Sequence, residues 1–526
     1  MTSTLASEVT DGSRIHRWNQ RIAAFIEHWI DPVFCIFSSC PKNPKDNNAS
    51  ASKRSLRWNT CKINSGKLTT LLFENLASLG GFALGVTLGW NSSAGEIFRN
   101  ILNANSIEIG LIGSILNAGA CIGVMIVPFF MKYLSRITII FLTMPGFIVG
   151  WTFICLADQK ILLLIIGRLI CGVSGGALCI LTPIYIAEIA DKNLREQLLM
   201  YFHLLINCGI MYAFVVAHIL EEHDAIWRYS FICAVTCLLI ALINLVPESP
   251  LYYLMKNDEI KARDSLKWYR GQIYEDDVEM KELKYLAIVS HSKKSTMSIL
   301  KNRYIVNSFF TCFFAFLAQQ LSGVNIMIFY ALTLFNVGGS GDLTASEQTI
   351  VIGSIQILSC FLATSLINMV GRRILLITSS MLMGLFLMLL GWFYELRDQD
   401  PEYDDIYFWM PPTWTALFFA AFNIGVGPIS WALLGDIFPM QIRETAVACA
   451  ATFNWLLCLI ATMTFGEMLD ALGVTKTMWL FAGFCWLAGI LCALLVKDTH
   501  GHSLAKIQES FGIDNRREET NNEEQT

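Results

Sequence analysis

Charge is scarce in this chain. Asp, Glu, Lys and Arg make up 15% of its 526 residues, against about 25% in ordinary soluble proteins. That shortage excludes a water-facing surface over most of its length. Proline is sparse too, with 13 residues, too few for Pro-rich spacers or a collagen-like repeat. The 8 histidines and the acids form no cluster with metal-ligand spacing, so no metal is expected. The 16 cysteines sit mostly inside apolar runs (Cys155, Cys179, Cys208, Cys312, Cys360, Cys458, Cys492), where cysteine acts as a small hydrophobe. No disulfide framework is expected either. There is no Walker-type phosphate loop and no nucleophile elbow. The chain is therefore expected not to be an enzyme or a nucleotide-driven pump, to need no cofactor, and to bind neither nucleotide nor nucleic acid. Residues 1–20 are polar, so no early signal peptide is expected and the first apolar span must do the targeting.

What the chain has in quantity is apolar surface: 54% hydrophobic residues and a mean hydropathy of +0.50. A membrane-spanning helix needs about 20 apolar residues. Twelve runs of suitable length occur, at 68–91, 107–131, 137–157, 161–187, 197–219, 227–247, 305–336, 347–370, 373–394, 411–434, 445–468 and 475–496. The expected fold class is an all-α membrane protein with twelve transmembrane helices in two six-helix, pseudo-symmetric halves.

With both termini, the 248–304 segment and the alternate short loops on one side, all but six of the 38 Lys and Arg fall on that side. The exceptions are Arg99, Lys160, Arg168, Arg228, Arg397 and Lys476. Positive charge marks the cytoplasmic face, so both termini are expected there. The reading divides the chain into a cytoplasmic tail (1–66), a six-helix half (67–247), a cytoplasmic helical linker (248–304), a second six-helix half (305–496) and a second cytoplasmic tail (497–526).

The halves repeat their punctuation. Glu188 and Arg195 follow the fourth span, and Asp436 and Arg443 follow the tenth; both pairs are seven apart. Arg136 follows the second span, and Arg372 and Arg373 follow the eighth. Self-similarity of this length implies a duplicated six-helix unit, and two such halves around a midplane site suggest alternating access. The seven residues Arg136, Glu188, Arg195, Arg372, Arg373, Asp436 and Arg443 are therefore read as a cytoplasmic gate of ion pairs, because guanidinium offers a planar fork to a carboxylate. Plain positive-inside anchoring is the competing reading.

The first span holds Gly80, Gly81, Gly85 and Gly89, spaced for close helix approach. It has no acid between Glu74 and Glu96, so no obvious group there binds and releases a proton.

Gln319-Gln320-Leu321-Ser322-Gly323-Val324-Asn325 places three amides inside an apolar run. Each buried amide needs partners. Gly323 lets the helix loosen or break. The composition suits a polar cavity for a polyhydroxylated solute; helix–helix glue is the alternative.

This stretch resembles the seventh-helix signature of the sugar porter family of the major facilitator superfamily. So do Gly167-Arg168, Pro183-x-Tyr185-x-x-Glu188, Pro247-Glu248-Ser249-Pro250, Gly371-Arg372-Arg373, Gly425-x-Gly427-Pro428-Ile429-x-Trp431 and Asn454-Trp455, in the right order from Lys67 to Ile507. Within the family the chain looks most like insect trehalose and hexose facilitators, judging by Gln356 and the long loop between spans nine and ten. The resemblance implies sugar contacts at Gln319, Gln320, Asn325, Gln356, Trp431 and Asn454. It adds His203, where the family has a fifth-helix glutamine, and external closing aromatics at Phe329 and Tyr330. Proton-coupled members have Gly-x-Asp-x-Gly in the first helix; here the frame is Gly85-Val86-Thr87-Leu88-Gly89, which implies uniport. The second Pro of the tenth-helix motif is Ser430, and the first-half Asp-x-x-Gly-Arg-Arg pattern is reduced to Lys132-Tyr133-Leu134-Ser135-Arg136-Ile137. The expected function is facilitated transport of trehalose or a hexose across the plasma membrane. A non-transporting sugar sensor, or a carrier of another polyol or small organic solute, are the alternatives.

Overall fold

Backbone that crosses a bilayer must satisfy its own hydrogen bonds, and the long apolar runs of this chain all become helices. The computed structural model describes residues 78–92, 94, 106–157, 160–190, 195–220, 226–270, 277–291, 303–329, 344–400, 407, 409–438 and 442–495. In chain order the helices are α1 (78–92), α2 (Ser106–Met131), α3 (Arg136–Cys155), α4 (Ile161–Ile189), α5 (Arg195–Ile219) and α6 (Ile226–Thr236). A 3₁₀ stretch, Cys237–Leu245, prolongs α6. Three linker helices follow: α7 (Pro250–Met255), α8 (Glu259–Arg270) and α9 (Asp277–His291). The second half holds α10 (Arg303–Leu321), α11 (Val324–Phe329), α12 (Ala345–Val370), α13 (Arg372–Gln399), α14 (Met410–Ile424), α15 (Val426–Asp436) and α16 (Arg443–Leu495).

Among the described residues 9 helices are long and apolar enough to cross a membrane, and a shorter apolar one covers Arg228–Ile243. Each of the twelve apolar runs overlaps a helical stretch. The last two are joined in α16, which turns at Gly473, where φ is +76°. A left-handed φ is open to glycine at little cost, so Gly473 divides the two spans without a loop. The ninth span runs past the expected end at 394 to Gln399. Polar contacts extend it beyond the apolar run: Gln399 Nε2 donates to Glu395 Oε1 one turn back, and the Arg397 guanidinium lies 5.0 Å over the Tyr394 ring. Large apolar side chains such as Met125, Leu162, Phe361 and Met369 are exposed, as an outer face turned to lipid requires. The two tails, the start of the first span, residue Tyr330 and most of the loop between spans nine and ten lie outside the described residues.

The glycines of α1 do what their spacing predicts. A Cβ built on Gly85 would stand 2.0 Å from the Ile206 carbonyl oxygen of α5, and one on Gly209 would stand 2.2 Å from that of Phe82. The two backbones touch, and any side chain at either position forces them apart. Elsewhere α2 packs on α4, and α13 on α16. The two halves meet where α2 lies against α16 and α5 against α12.

Two further interruptions fall inside apolar spans. Ser322 and Gly323 separate α10 from α11, with Gly323 at φ +77°. Gly425 separates α14 from α15. There Ser379 of α13 holds the break: its Oγ donates to the Ala421 carbonyl and accepts from the Val426 N–H, at 2.8 and 3.1 Å. Broken helices are tolerated within a span when buried in protein or lining a cavity.

The linker docks on the first half. Ser249 caps α7 with Pro250 at its first position, the arrangement a helix start favours. Helices α7, α8 and α9 share a small core of Leu251, Leu254, Ala262, Leu266, Met280 and Ala287. The Tyr185 and Tyr269 hydroxyls lie 2.7 Å apart, each 2.6 Å from the Pro247 carbonyl.

Candidate functional site

Gln320 and Asn325 flank the break between α10 and α11, so the turn brings their side chains together. Asn325 Nδ2 donates to Gln320 Oε1 at 2.6 Å, and Gln320 Nε2 donates to Asn454 Oδ1 of α16 at 2.7 Å. Three of the expected residues thus form one continuous amide chain. Gln319 and Gln356 are buried beside no partner: the Oε1 of each has no hydrogen bond. An unpaired buried amide oxygen costs about 1–3 kcal/mol, so these ends call for a ligand or water.

His203 belongs to α5, in the first half. Its Nε2 is 3.1 Å from Asn423 Oδ1 on α14, which also accepts from Asn207 Nδ2 at 2.7 Å. Its Nδ1 is buried without a partner. These bonds cross between the halves. Trp431 packs its indole edge-on against Phe316, centroids 5.2 Å apart, and beside Trp455 at 6.4 Å. Phe329 is buried at the end of α11. The structure therefore brings together Gln320, Asn325 and Asn454, and separately groups His203 with Asn207 and Asn423.

At the linker end the Arg136 guanidinium joins the halves. Arg136 Nη2 lies 3.3 Å from Glu188 Oε1 and 3.4 Å from Glu444 Oε1. The Tyr252 ring lies 5.3 Å from its guanidinium carbon. Ser249 Oγ donates to the other Glu188 oxygen. Glu248 accepts from the Ile137 and Ser249 N–H groups, at 3.1 and 3.0 Å. Burial pushes its carboxyl above the usual carboxylate range, against hydrogen bonds that lower it. Arg372 and Arg443 are buried at the starts of α13 and α16. Arg195 is partly buried at the start of α5. Arg373 donates to the Ala493 carbonyl at 2.6 Å rather than to an acid. The Asp436 side chain lies outside the described residues.

A further buried guanidinium, Arg168, sits on α4. It donates to the Thr87 and Ile112 carbonyls and to Asn91 Oδ1, at 2.7, 3.4 and 3.3 Å, and lies 5.3 Å over the Trp90 ring. No carboxylate is among these partners. Thr87 itself bonds back to the Ala83 carbonyl.

The sequence model of sugar (and other) transporters matches residues 47–511. This chain belongs to the sugar (and other) transporter family. It is 32% identical over 452 residues to the facilitated trehalose transporter Tret1 of Bombyx mori, covering 85% of this chain and 88% of that one. It is 30% identical to Tret1 of Apis mellifera ligustica, covering 84% and 88%. Its fold is similar to the major facilitator superfamily proton:xylose symporter XylE bound to 6-bromo-6-deoxy-D-glucose, with a TM-score of 0.73, 21% identity, and 85% and 100% coverage. XylE from E. coli in its inward-open conformation gives a TM-score of 0.65 at 20% identity, covering 84% and 99%.

As a member of the sugar transporter family the chain is a multi-pass membrane transporter and not an enzyme. Four residues of its site escaped sequence reasoning. Asn207 and Asn423 are single amides in apolar runs, each meaningful only with His203. Glu444 hid beside Arg443, in a charged stretch read for seven-residue spacing; its partner is 308 positions away. Glu248 sat in a recognised motif, but nothing local shows that it caps α3.

Proposed function

We propose that this chain carries trehalose or a hexose down its gradient across the plasma membrane by alternating access, with both termini cytoplasmic. The carrying observation is the amide chain Asn325–Gln320–Asn454 at a helix break, accompanied by buried amide ends on Gln319 and Gln356 that have no partner. Amides offer donors and acceptors together, which a polyol needs on every hydroxyl. An indole such as Trp431 adds an apolar face for a sugar ring. The relatives named as facilitated trehalose transporters support the sugar class.

Uniport follows from the first span. The fold neighbours are proton symporters, yet among the described residues the partners of Arg168 are carbonyls, an amide and an indole face. With no carboxylate among those partners, a carrier that moves sugar without a proton is the reading this site supports. The Arg136–Glu188–Glu444 cluster acts as the cytoplasmic gate, since it joins the two halves and must part when they open inward.

Radiolabelled uptake in oocytes tests this, comparing trehalose with glucose at mildly acid and neutral pH. Saturable uptake that is independent of pH is expected. Uptake that rises at acid pH would overturn uniport. Absence of uptake for both sugars, with the protein at the surface, would favour the sensor or another solute.

A further inference from the structure

We propose that Asn207 and Asn423 are positioning residues that hold His203 as its Nε2–H tautomer, so that its bare Nδ1 offers an acceptor to one hydroxyl of the transported sugar; this rests on the sugar-transport reading above.

Asn423 is anchored on its own helix. Its Nδ2 donates to the Phe419 carbonyl one turn back on α14, at 2.8 Å. Flipping the amide would set two oxygens against each other, so the bond fixes which end faces α5. The end facing α5 is the oxygen. Asn207 Nδ2 donates to it at 2.7 Å. Both groups at that point are accounted for, and the third member of the cluster, His203 Nε2 at 3.1 Å, has an acceptor in front of it. It must therefore carry a proton.

A neutral imidazole carries only one N–H. With Nε2 protonated, Nδ1 has a lone pair and nothing to give. Nδ1 is buried without a partner. The doubly protonated ring would leave a buried N–H unsatisfied. It would also place a charge among amides, with no carboxylate among its bonded partners, which is costly at this depth.

The ring cannot turn to find another partner cheaply. Phe422 stands against it, centroids 5.9 Å apart. A Cβ on Gly427 would come within 2.9 Å of His203 Nε2, so the glycine beside the tenth-helix break makes the room the imidazole occupies. Nδ1 is thus a fixed acceptor that only a donor can satisfy, and a sugar hydroxyl is one. Asn423 belongs to the second half and His203 to the first. The tautomer is held only while α5 touches α14, which ties the acceptor to the conformational cycle.

Two measurements on the full-length protein test this. In the first, KM is measured for single-deoxy analogues of trehalose and glucose. One deoxy position should raise KM about tenfold in the wild type, the loss of one hydrogen bond. That difference should vanish in His203→Phe and in Asn423→Leu, although the imidazole is intact in the latter. It should persist in His203→Gln, whose amide also presents a donor and an acceptor. In the second, the ring nitrogens of His203 are read by 15N NMR in purified protein without sugar. The wild type should show Nε2–H with bare Nδ1, and Asn423→Leu should lose that preference. A wild-type Nδ1–H spectrum, an unchanged spectrum in Asn423→Leu, or the absence of any deoxy position coupled to His203 would overturn the proposal. If the wild type carries neither sugar, the transport reading fails and takes the acceptor role with it; the spectrum still decides whether Asn423 sets the tautomer.

Discussion

Replacing Gln320 with alanine removes the middle of the amide chain. Gln320 accepts from Asn325 and donates to Asn454, so the truncation removes both bonds: Asn454 Oδ1 loses this donor, and the half-buried Asn325 side chain is left with Cys458. Each lost bond is worth about 0.5–1.5 kcal/mol net, although bonds between membrane helices average nearer 0.6 kcal/mol. Taking about 1.4 kcal/mol for each of the two, transport efficiency should fall about 100-fold, a tenfold loss for each such step. The bilayer fold should survive, because the surrounding contacts are apolar and untouched. The assay is initial-rate uptake in oocytes, with surface protein matched by biotinylation. A double-mutant cycle sharpens it. Asn454→Ala removes the same bond, so Gln320→Ala with Asn454→Ala should be little worse than Gln320→Ala alone. Unchanged uptake in the single variant, or fully additive losses in the double, would refute the reasoning.

Other consequences are equally direct. Glu444→Gln removes one of the two acids on Arg136; exit-limited transport should change while sugar KM changes less, which a comparison of zero-trans entry with counterflow reads. Gly427→Ala should lower uptake, since its Cβ would fall 2.7 Å from Phe422 Cε1 and 2.9 Å from His203 Nε2, which initial-rate uptake at matched surface protein reads. Thr87→Asp adds a carboxylate at the residue whose backbone carbonyl accepts from Arg168 and should make uptake depend on pH, whereas wild-type uptake is expected to be flat. Glu248 has its carboxyl pushed up by burial. A raised acid favours its neutral form, so its contribution to stability is full at acid pH and is lost as pH rises through the raised value. Purified protein should therefore melt higher at mildly acid pH, by an increment that Glu248→Gln removes.

Much of the fold was legible because the bilayer imposes one rule on every span. Apolar runs of about 20 residues must be helices, and the small-residue spacing of Gly81, Gly85 and Gly89 marked the face that meets α5. Gly323 marked the break in the amide motif for a local reason: left-handed backbone favours glycine. Gly473 carried the same signal between two apolar runs, so the joined helix α16 was not visible. Gln320, Asn325 and Asn454 stood out as polar groups in hydrocarbon. What sequence could not supply was pairing across the halves. Asn423 looks like one amide in an apolar run until α5 brings His203 and Asn207 to it. Glu444 reads as a neighbour of Arg443 until α3 brings Arg136 within 3.4 Å. Both depend on packing between segments more than 200 positions apart, and no local period records that.

Counterflow in liposomes containing the purified protein tests the central claim most directly. Liposomes loaded with unlabelled trehalose or glucose should accumulate the labelled sugar transiently, with no proton gradient and equally at acid and neutral pH. Binding of the sugar without counterflow, or accumulation only when a proton gradient is imposed, would contradict the account.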